Sequence, residues 1–344
     1  MITKLFINID LSNQSIWRNT VTSNSKISAR EHNLQSILHL LHIHKSLSAK
    51  QLSTLTGLSV VSINKLIELL ELKNILTVDF TNTRGRRAKT YQINYQAYTL
   101  GALQLHEVHD YIKANYSLID LSGKIISQTH YEENITSVEQ LLEFIKLHTD
   151  ESKPQKIIVG IPGDELNGYL QLIDVKALRG IKLSKAIEVS TDIDTIIVND
   201  INACIFGAAS SLHESQNIAA GIYFPKLYGP GVGIVINDQL ITGADGLAGE
   251  VQYGTVDQKE SPKNQIIDHL RNIISLINPN LLIAYIDELN LTDLEINQII
   301  QTLHRYLPLH QNYKLDFNRN FQDDYLLGLA TIGRNIIFKK LSGN

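Results

Sequence analysis

Residues 29–45 place Leu34, Ile37, Leu38 and Leu41 at i, i+3, i+4 and i+7, one apolar stripe of an amphipathic helix. Ser46-Leu47-Ser48 interrupts that period, and Ser48 can cap a short second helix over 49–56. Gly57 then suits a left-handed turn position. Ser59 can cap a third helix, with Val61, Ile63, Leu66, Ile67 and Leu70 as its buried positions. Past Asn74, the alternating runs 75–80 and 90–94 predict two strands. Between them lies Thr81-Asn82-Thr83-Arg84-Gly85-Arg86-Arg87-Ala88-Lys89, a basic tip containing a glycine.

From about Leu100 the pattern changes. Short β-rich runs alternate with longer helical ones, which argues for α/β layers. Strands are predicted over 114–119, 156–160, 195–198, 219–224 and 231–237, and an amphipathic helix over 138–148. The connections carry Ile161-Pro162-Gly163, Asn199-Asp200-Ile201-Asn202-Ala203 and a glycine-rich loop over 243–250.

The 344 residues are 43% hydrophobic and 19% charged, which suits two or three folded domains and lies outside the disordered range. No apolar run approaches the roughly 20 residues needed to span a bilayer, so no membrane protein is expected. The first stretch, with Lys4 and Asp10, is too short and charged for a signal peptide. Cys204 is the only cysteine, so neither an internal disulfide nor a cysteine-rich zinc site can form. A cytoplasmic protein is expected.

Splitting the charge changes the picture. The chain carries a formal −4, made of +7 over residues 1–95 and −11 over the remainder. A basic front on an acidic body fits a polyanion partner for the front, although solvated faces also give such an asymmetry. Helix, short helix, glycine turn, helix and basic hairpin follow the winged helix-turn-helix plan, expected over 29–95. The third helix would turn Val60, Ser62, Asn64 and Lys65 away from its core, and Asn can pair bidentately with adenine. Arg84, Arg86, Arg87 and Lys89 can neutralise phosphates or enter a minor groove. The expected partner is double-stranded operator DNA, with a protein-interaction module as the alternative. His39, His42 and His44 invite a metal reading, but no cysteine or carboxylate completes a set, and packing or surface histidines are expected.

Strand–Ile161-Pro162-Gly163, strand–Asn199-Asp200-x-Asn202-Ala203, Gly231-x-Gly233-Ile234-Val235-Ile236-Asn237 and Gly243-x-x-Gly246-x-Ala248-Gly249-Glu250, in that order, resemble the ROK family of repressors and sugar kinases. Asn278-Pro279-Asn280-Leu281-Leu282-Ile283 and Gly328-Leu329-Ala330 resemble its carboxyl-terminal segments. Arg84-Gly85-Arg86-Arg87 resembles the wing of its repressor branch. The resemblance runs from about residue 29 onward and leaves 1–28 as an extension. It implies an α/β fold, with an actin-like (ribonuclease H-like) two-lobed body over 99–344, a lobe boundary near 205, and a carbohydrate in the cleft. The implied sugar contacts are Gly163, Asn199, Asp200, Gly246, Glu250 and Tyr253. Asp200 stands where the family's kinases hold the general base that takes a hydroxyl proton. The residues alone equally allow Asn199-Asp200 to cap a strand-to-helix turn.

The chain departs from the kinase pattern in three places. The family's Asp-x-Gly-x-Thr turn is replaced by Leu100-Gly101-Ala102-Leu103-Gln104-Leu105-His106-Glu107. Its Gly-Thr-Gly loop is replaced by Tyr228-Gly229-Pro230-Gly231, where proline has no N–H to offer a phosphate. Its paired glycines are replaced by Ala284-Tyr285, which would crowd the nucleotide side. Tyr253 stands at the family's zinc- and sugar-binding histidine, and no cysteine follows it. No cofactor, metal or catalysis is therefore expected. The expected function is a sugar-responsive regulator, a repressor of carbohydrate-utilisation genes, acting as a homodimer or higher oligomer. The rivals are an ATP-dependent sugar kinase and a regulator with a vestigial cleft switched by a protein partner.

Overall fold

The computed structural model describes residues 28–83, 86–108, 111–131, 133–163, 165–171, 178–210, 218–225 and 229–343. Helix α1 (Ala29–His44) opens in a capping box in which Glu31 N donates to Ser28 Oγ and Ser28 N donates to the Glu31 carboxylate. It buries Leu34, Ile37, Leu38 and Leu41, the stripe expected from their spacing. After β1 (Leu47–Ser48), Ser48 and Gln51 cap α2 (Ala49–Thr56), which ends at Gly57 with φ +73°. Helix α3 (Val60–Leu72), capped by Ser59, buries Ile63, Leu66, Ile67 and Leu70. Val61, expected in that core, is 67% exposed. At 100° per residue it lies beside Asn64 and Lys65, on the side away from Ile63.

Strands β2 (Leu76–Thr83) and β3 (Arg86–Ile93) pair antiparallel from Leu76↔Ile93 to Thr83↔Arg86, and β1 joins β3 on its other edge. Both strands outrun the alternating segments that predicted them, because the ladder continues through Thr81, Asn82 and Thr83. Arg86, Arg87 and Lys89 therefore belong to a strand rather than to a long tip.

The body is one topology built twice. Antiparallel β4 (Thr99–Val108), β5 (Tyr111–Asp120) and β6 (Ile125–His130) are followed by α4 (Val138–Ser152) and β7 (Lys156–Ile161). A small hairpin of β8 (Glu165–Leu166) and β9 (Tyr169–Leu170) precedes α5 (Leu183–Thr191), β10 (Thr195–Asn199) and α6 (Asp200–Ala209). The second half runs β11 (Ile218–Tyr223), β12 (Gly231–Ile236), β13 (Gln239–Leu240), α7 (Pro262–Ile277), β14 (Leu281–Tyr285), α8 (Asp293–Tyr306), β15 (Lys314–Asn318) and α9 (Phe321–Ser342). The sheets are ordered β10-β7-β4-β5-β6 and β13-β12-β11-β14-β15. Apart from the small hairpin, each half is an antiparallel meander extended by two parallel strands, and α6 and α9 are its equivalent closing helices.

Helices α4 and α5 cover one face of the first sheet, burying Leu141, Ile145, Leu183 and Ile187 against Ile157 and Val159. Helices α7 and α8 cover the second with Ile266, Leu270, Ile299 and Leu303. Helices α6 and α9 fill the space between the sheets, in a core that also takes in α1 and α3. Their crossing is close. A Cβ on Gly207 would lie 2.8 Å from Gly328 N, and one on Gly328 would overlap the Ala203 carbonyl oxygen. The end of α9 reaches the amino-terminal unit, where Lys73 Nζ donates to Leu341 O at 2.5 Å. Among the described residues no helix is long and apolar enough to cross a membrane.

The crossing makes a direct prediction. Gly328→Ala is expected to cost about 1–3 kcal/mol, because backbone atoms stand where the methyl group must go. Urea unfolding measures it, and an unchanged midpoint would show that the helices separate without strain.

Candidate ligand cleft and nucleic-acid interface

Strands β7 and β10 are parallel neighbours, in register up to Asn199↔Ile161. The carboxyl ends of parallel strands are where open α/β sheets bind ligands. Asn199 Oδ1 accepts from Asn202 N at 3.1 Å and so caps α6, while its Nδ2 donates to Gly163 O at 3.1 Å. One amide side chain thus starts the helix and fastens the end of the neighbouring strand. Asp200 follows as the first residue of α6, with Oδ1 accepting from Ile201 N at 2.6 Å. A carboxylate suits this position because the helix dipole is positive there. Burial first, and the Asp200 charge among further causes, raise the Tyr223, Tyr325 and Cys204 pKa values, so the carboxylate faces neutral neighbours.

The glycine-rich loop meets this corner from the second half. Gly249 has φ +98°, and a Cβ there would strike the Val232 carbonyl oxygen. Val232 N donates to Gly249 O at 2.9 Å, which fixes the loop to β12. Gly246 has φ +86°, and its Cβ position is 3.6 Å from Leu166 Cδ2, so the loop reaches β8 of the first half. The Glu250 carboxylate accepts from Gln252 Nε2 at 2.9 Å. Of the six residues named as sugar contacts, Gly163, Asn199 and Asp200 come together, and Gly246 and Glu250 lie on the loop that closes on β8. Tyr253 ends the 3-10 turn that follows Glu250, with its N donating to Glu250 O at 3.2 Å and its side chain 73% exposed.

Several polar groups here escaped the sequence reading. Asn202 Oδ1 is buried without a hydrogen-bond partner, beside Gly233. At the ends of β14 and β15, Tyr285 Oη and Asn318 Nδ2 both donate to Asp324 Oδ2, at 2.9 and 2.8 Å. Asn318 closes β15 as Asn199 closes β10, an equivalence that the doubled sheet topology reveals. At the positions that depart from the kinase pattern, 99–108 is a continuous strand and Tyr285 is fully buried, edge-on to Phe321. Tyr228 lies outside the described residues. His106 packs edge-on to Tyr325, and its Nδ1 lies 3.2 Å from Gln322 Nε2. With the amide donating, the imidazole proton sits on Nε2, which is buried and unpartnered.

In the amino-terminal unit, Val60, Asn64 and Lys65 share an exposed face of α3. Ser62 also lies there, but its N donates to Ser59 Oγ and its Oγ is 2.9 Å from the same atom. Lys89 is tied back: Nζ is 3.2 Å from Glu71 Oε1 and 5.2 Å from the centre of the Tyr91 ring. It braces the hairpin against α3. Arg84 and the side chains of Arg86 and Arg87 lie outside the described residues. Among the described residues no group of three or more His, Cys, Asp or Glu could hold a metal. His42 Nδ1 is 2.7 Å from Tyr95 Oη.

Residues 111–265 match the ROK family model. The xylose repressor of Staphylococcus xylosus is 22% identical over 231 residues, which cover 64% of this chain and 59% of that protein. The chain spans about three-fifths of the length of the curated relatives it matches. Among solved structures, a ROK family transcriptional regulator, homologue of the E. coli MLC protein, has a TM-score of 0.67 at 16% identity, over 91% of this chain and 99% of its own. The ROK hexokinase of Thermus thermophilus has a TM-score of 0.55 at 15% identity, over 68% of this chain and 97% of its own. The body thus has the ROK-like α/β fold, shared by regulators and kinases alike.

His106 gives the site a pH signature. Burial pushes its imidazole down from 6.5 to about 4. Between those values the unfolded chain binds a proton that the folded chain does not. The contribution is complete above pH 6.5 and is lost as the pH falls toward 4, a difference of roughly 3 kcal/mol. His106→Leu is expected to flatten the Tm profile across that window. An unaltered slope in a thermal denaturation series would acquit His106.

Proposed function

We propose that this chain is a sugar-responsive transcriptional repressor. In this reading residues 29–95 form a winged helix-turn-helix that grips operator DNA, and the ROK-like body binds a carbohydrate at Gly163, Asn199, Asp200, Gly246, Glu250 and Tyr253. The observation that carries it is the joining of two features in one chain. One is a helix whose exposed polar face follows a glycine turn and adjoins a basic hairpin. The other is a polar corner at the carboxyl ends of parallel strands, with carboxylate and amide oxygens suited to hydroxyl groups. The fold shared with a transcriptional regulator and the likeness to xylose repressors support the same reading and put xylose at the head of any sugar panel.

The protein acts as a dimer on an inverted repeat whose half-sites lie about 34–36 Å apart. It does not phosphorylate its ligand. Phosphoryl transfer needs backbone amides around the phosphates and a metal beside them. Here a continuous strand occupies 99–108, Pro230 lacks an N–H, and Tyr285 fills the end of β14.

The test is fluorescence anisotropy on operator DNA with a panel of neutral sugars. At least one sugar should change operator affinity by roughly 5- to 150-fold, and Asp200→Asn should abolish the response. Sugar-dependent ADP release lost in Asp200→Asn would overturn the reading in favour of a kinase. No response to any sugar would overturn it in favour of a protein-switched regulator.

The division of labour within the DNA-binding unit makes a separate prediction. Replacing Arg86 and Arg87 with Gln should weaken binding to all sequences and lower the salt slope by about 2. Asn64→Ala should instead relax sequence preference at constant slope. Identical behaviour of the two variants in salt titrations would refute the assignment.

A further inference from the structure

A cavity of about 300 Å³ lies where the amino-terminal unit meets the body, well apart in the fold from the strand-end corner. Gln35 and His39 of α1 form one wall, and Arg334, Asn335 and Lys339 of α9 the other. The end of α6 and Asp238, in the turn between β12 and β13, complete it. His39, Asn335 and Lys339 are exposed at its rim. Arg334 forms the floor and is only 5% exposed. Among the described residues no side chain or carbonyl hydrogen-bonds to the Arg334 guanidinium, and no carboxylate forms an ion pair with it.

This arrangement is costly without a counter-charge. A buried cation needs a partner, and arginine keeps its charge at any physiological pH. The group with which Arg334 interacts electrostatically is the Tyr95 phenol. Burial raises that phenol's pKa, so it offers no negative charge near neutral pH. Asp120, which also acts on Tyr95, has Oδ1 committed to the N–H groups of Ser122 and Lys124.

We propose that this cavity binds a small metabolite carrying one oxyanion group, a phosphate ester or a carboxylate, which pairs with Arg334. The planar guanidinium matches either oxyanion bidentately. Gln35 and Asn335 supply hydrogen bonds to the rest of the ligand. The volume sits at the small end of ligand pockets, which favours a small metabolite. Because its walls come from α1 and α9, the ligand would hold the amino-terminal unit against the body. Its effect on operator affinity rests on the function proposed above, whereas its binding does not.

The experiment uses the full chain without DNA, titrated calorimetrically with inorganic phosphate, ribose 5-phosphate, gluconate and neutral ribose. At least one oxyanion should bind saturably, and ribose should not compete with it. Preference for ribose 5-phosphate assigns a phosphate ester, and preference for gluconate a carboxylate. Arg334→Gln should weaken binding roughly 10- to 100-fold. If that variant does not fold, Gln35→Trp fills the cavity from α1 and should block binding in the same way. No binding of any oxyanion at millimolar concentration, or binding undiminished in the folded variants, overturns the site. Adding the tightest probe to an operator titration should shift affinity roughly fivefold or more. Intact binding without that shift refutes the coupling alone, and failure to bind operator at all refutes the proposed function while the calorimetry still decides the site.

Discussion

The close approach of α6 and α9 is the constraint on which the rest of the molecule depends. Each helix closes one half of the repeat, and both contribute to the core that lies between the two sheets. Backbone-to-backbone contact at Ala203, Gly207 and Gly328 leaves no side chain to cushion the crossing. Interiors packed this tightly move as units rather than deforming smoothly. Helix α6 begins at Asn199 and Asp200, and α9 runs for 22 residues, about 33 Å, to the contact between Leu341 and Lys73. A shift at the start of α6 therefore has a stiff route to the amino-terminal unit. The cavity floored by Arg334 lies along that same route.

The Asn199 side chain caps α6, one of the two readings that the residues alone left open. A helix cap and a ligand contact are compatible when the capping amide has a second arm. Oδ1 holds Asn202 N, Nδ2 holds Gly163 O, and the next residue contributes the carboxylate. The geometry that satisfies the helix's first donors is the geometry that presents Asp200 at the crevice. Removing the cap would cost stability and misplace the carboxylate together, so variants of Asn199 would not separate structure from function as cleanly as variants of Asp200.

Much of the fold was legible because local chemistry and global packing agree there. The Leu34–Ile37–Leu38–Leu41 stripe, the Ser48 and Ser59 caps and the left-handed Gly57 each follow from one local rule. Val61 failed because a third-helix residue can be apolar on a face that packing never reaches. The strands of the hairpin were read short because polar Thr81, Asn82 and Thr83 break the apolar alternation without breaking the ladder. The doubled topology left no trace in the hydrophobic pattern, since burial on both faces turns β7 and β14 into plain apolar runs. The glycine-rich loop was legible by resemblance because backbone geometry demands its glycines, as at Gly246 and Gly249 with positive φ. Arg334 was invisible as a site residue because its meaning comes from elements far apart in sequence.

Aromatic rings pack the start of α9. Tyr223 stacks on Phe321 with ring centres 4.0 Å apart, Tyr285 meets the same ring edge-on at 5.3 Å, and Tyr325 follows at 5.7 Å. Aromatic pairs of this kind add about 0.5–1.5 kcal/mol each beyond their buried area. The pairs with Tyr223 and Tyr285 bind the first turn of α9 to β11 and β14, and Asp324 adds hydrogen bonds from Tyr285 and Asn318. A protein that converts ligand binding into a change at its far end needs that corner closed, because any slack at the start of α9 would absorb the displacement before it reached Leu341. Of the positions that depart from the kinase pattern, Tyr285 belongs to this cluster, where its ring and its hydrogen bond to Asp324 stiffen the start of α9.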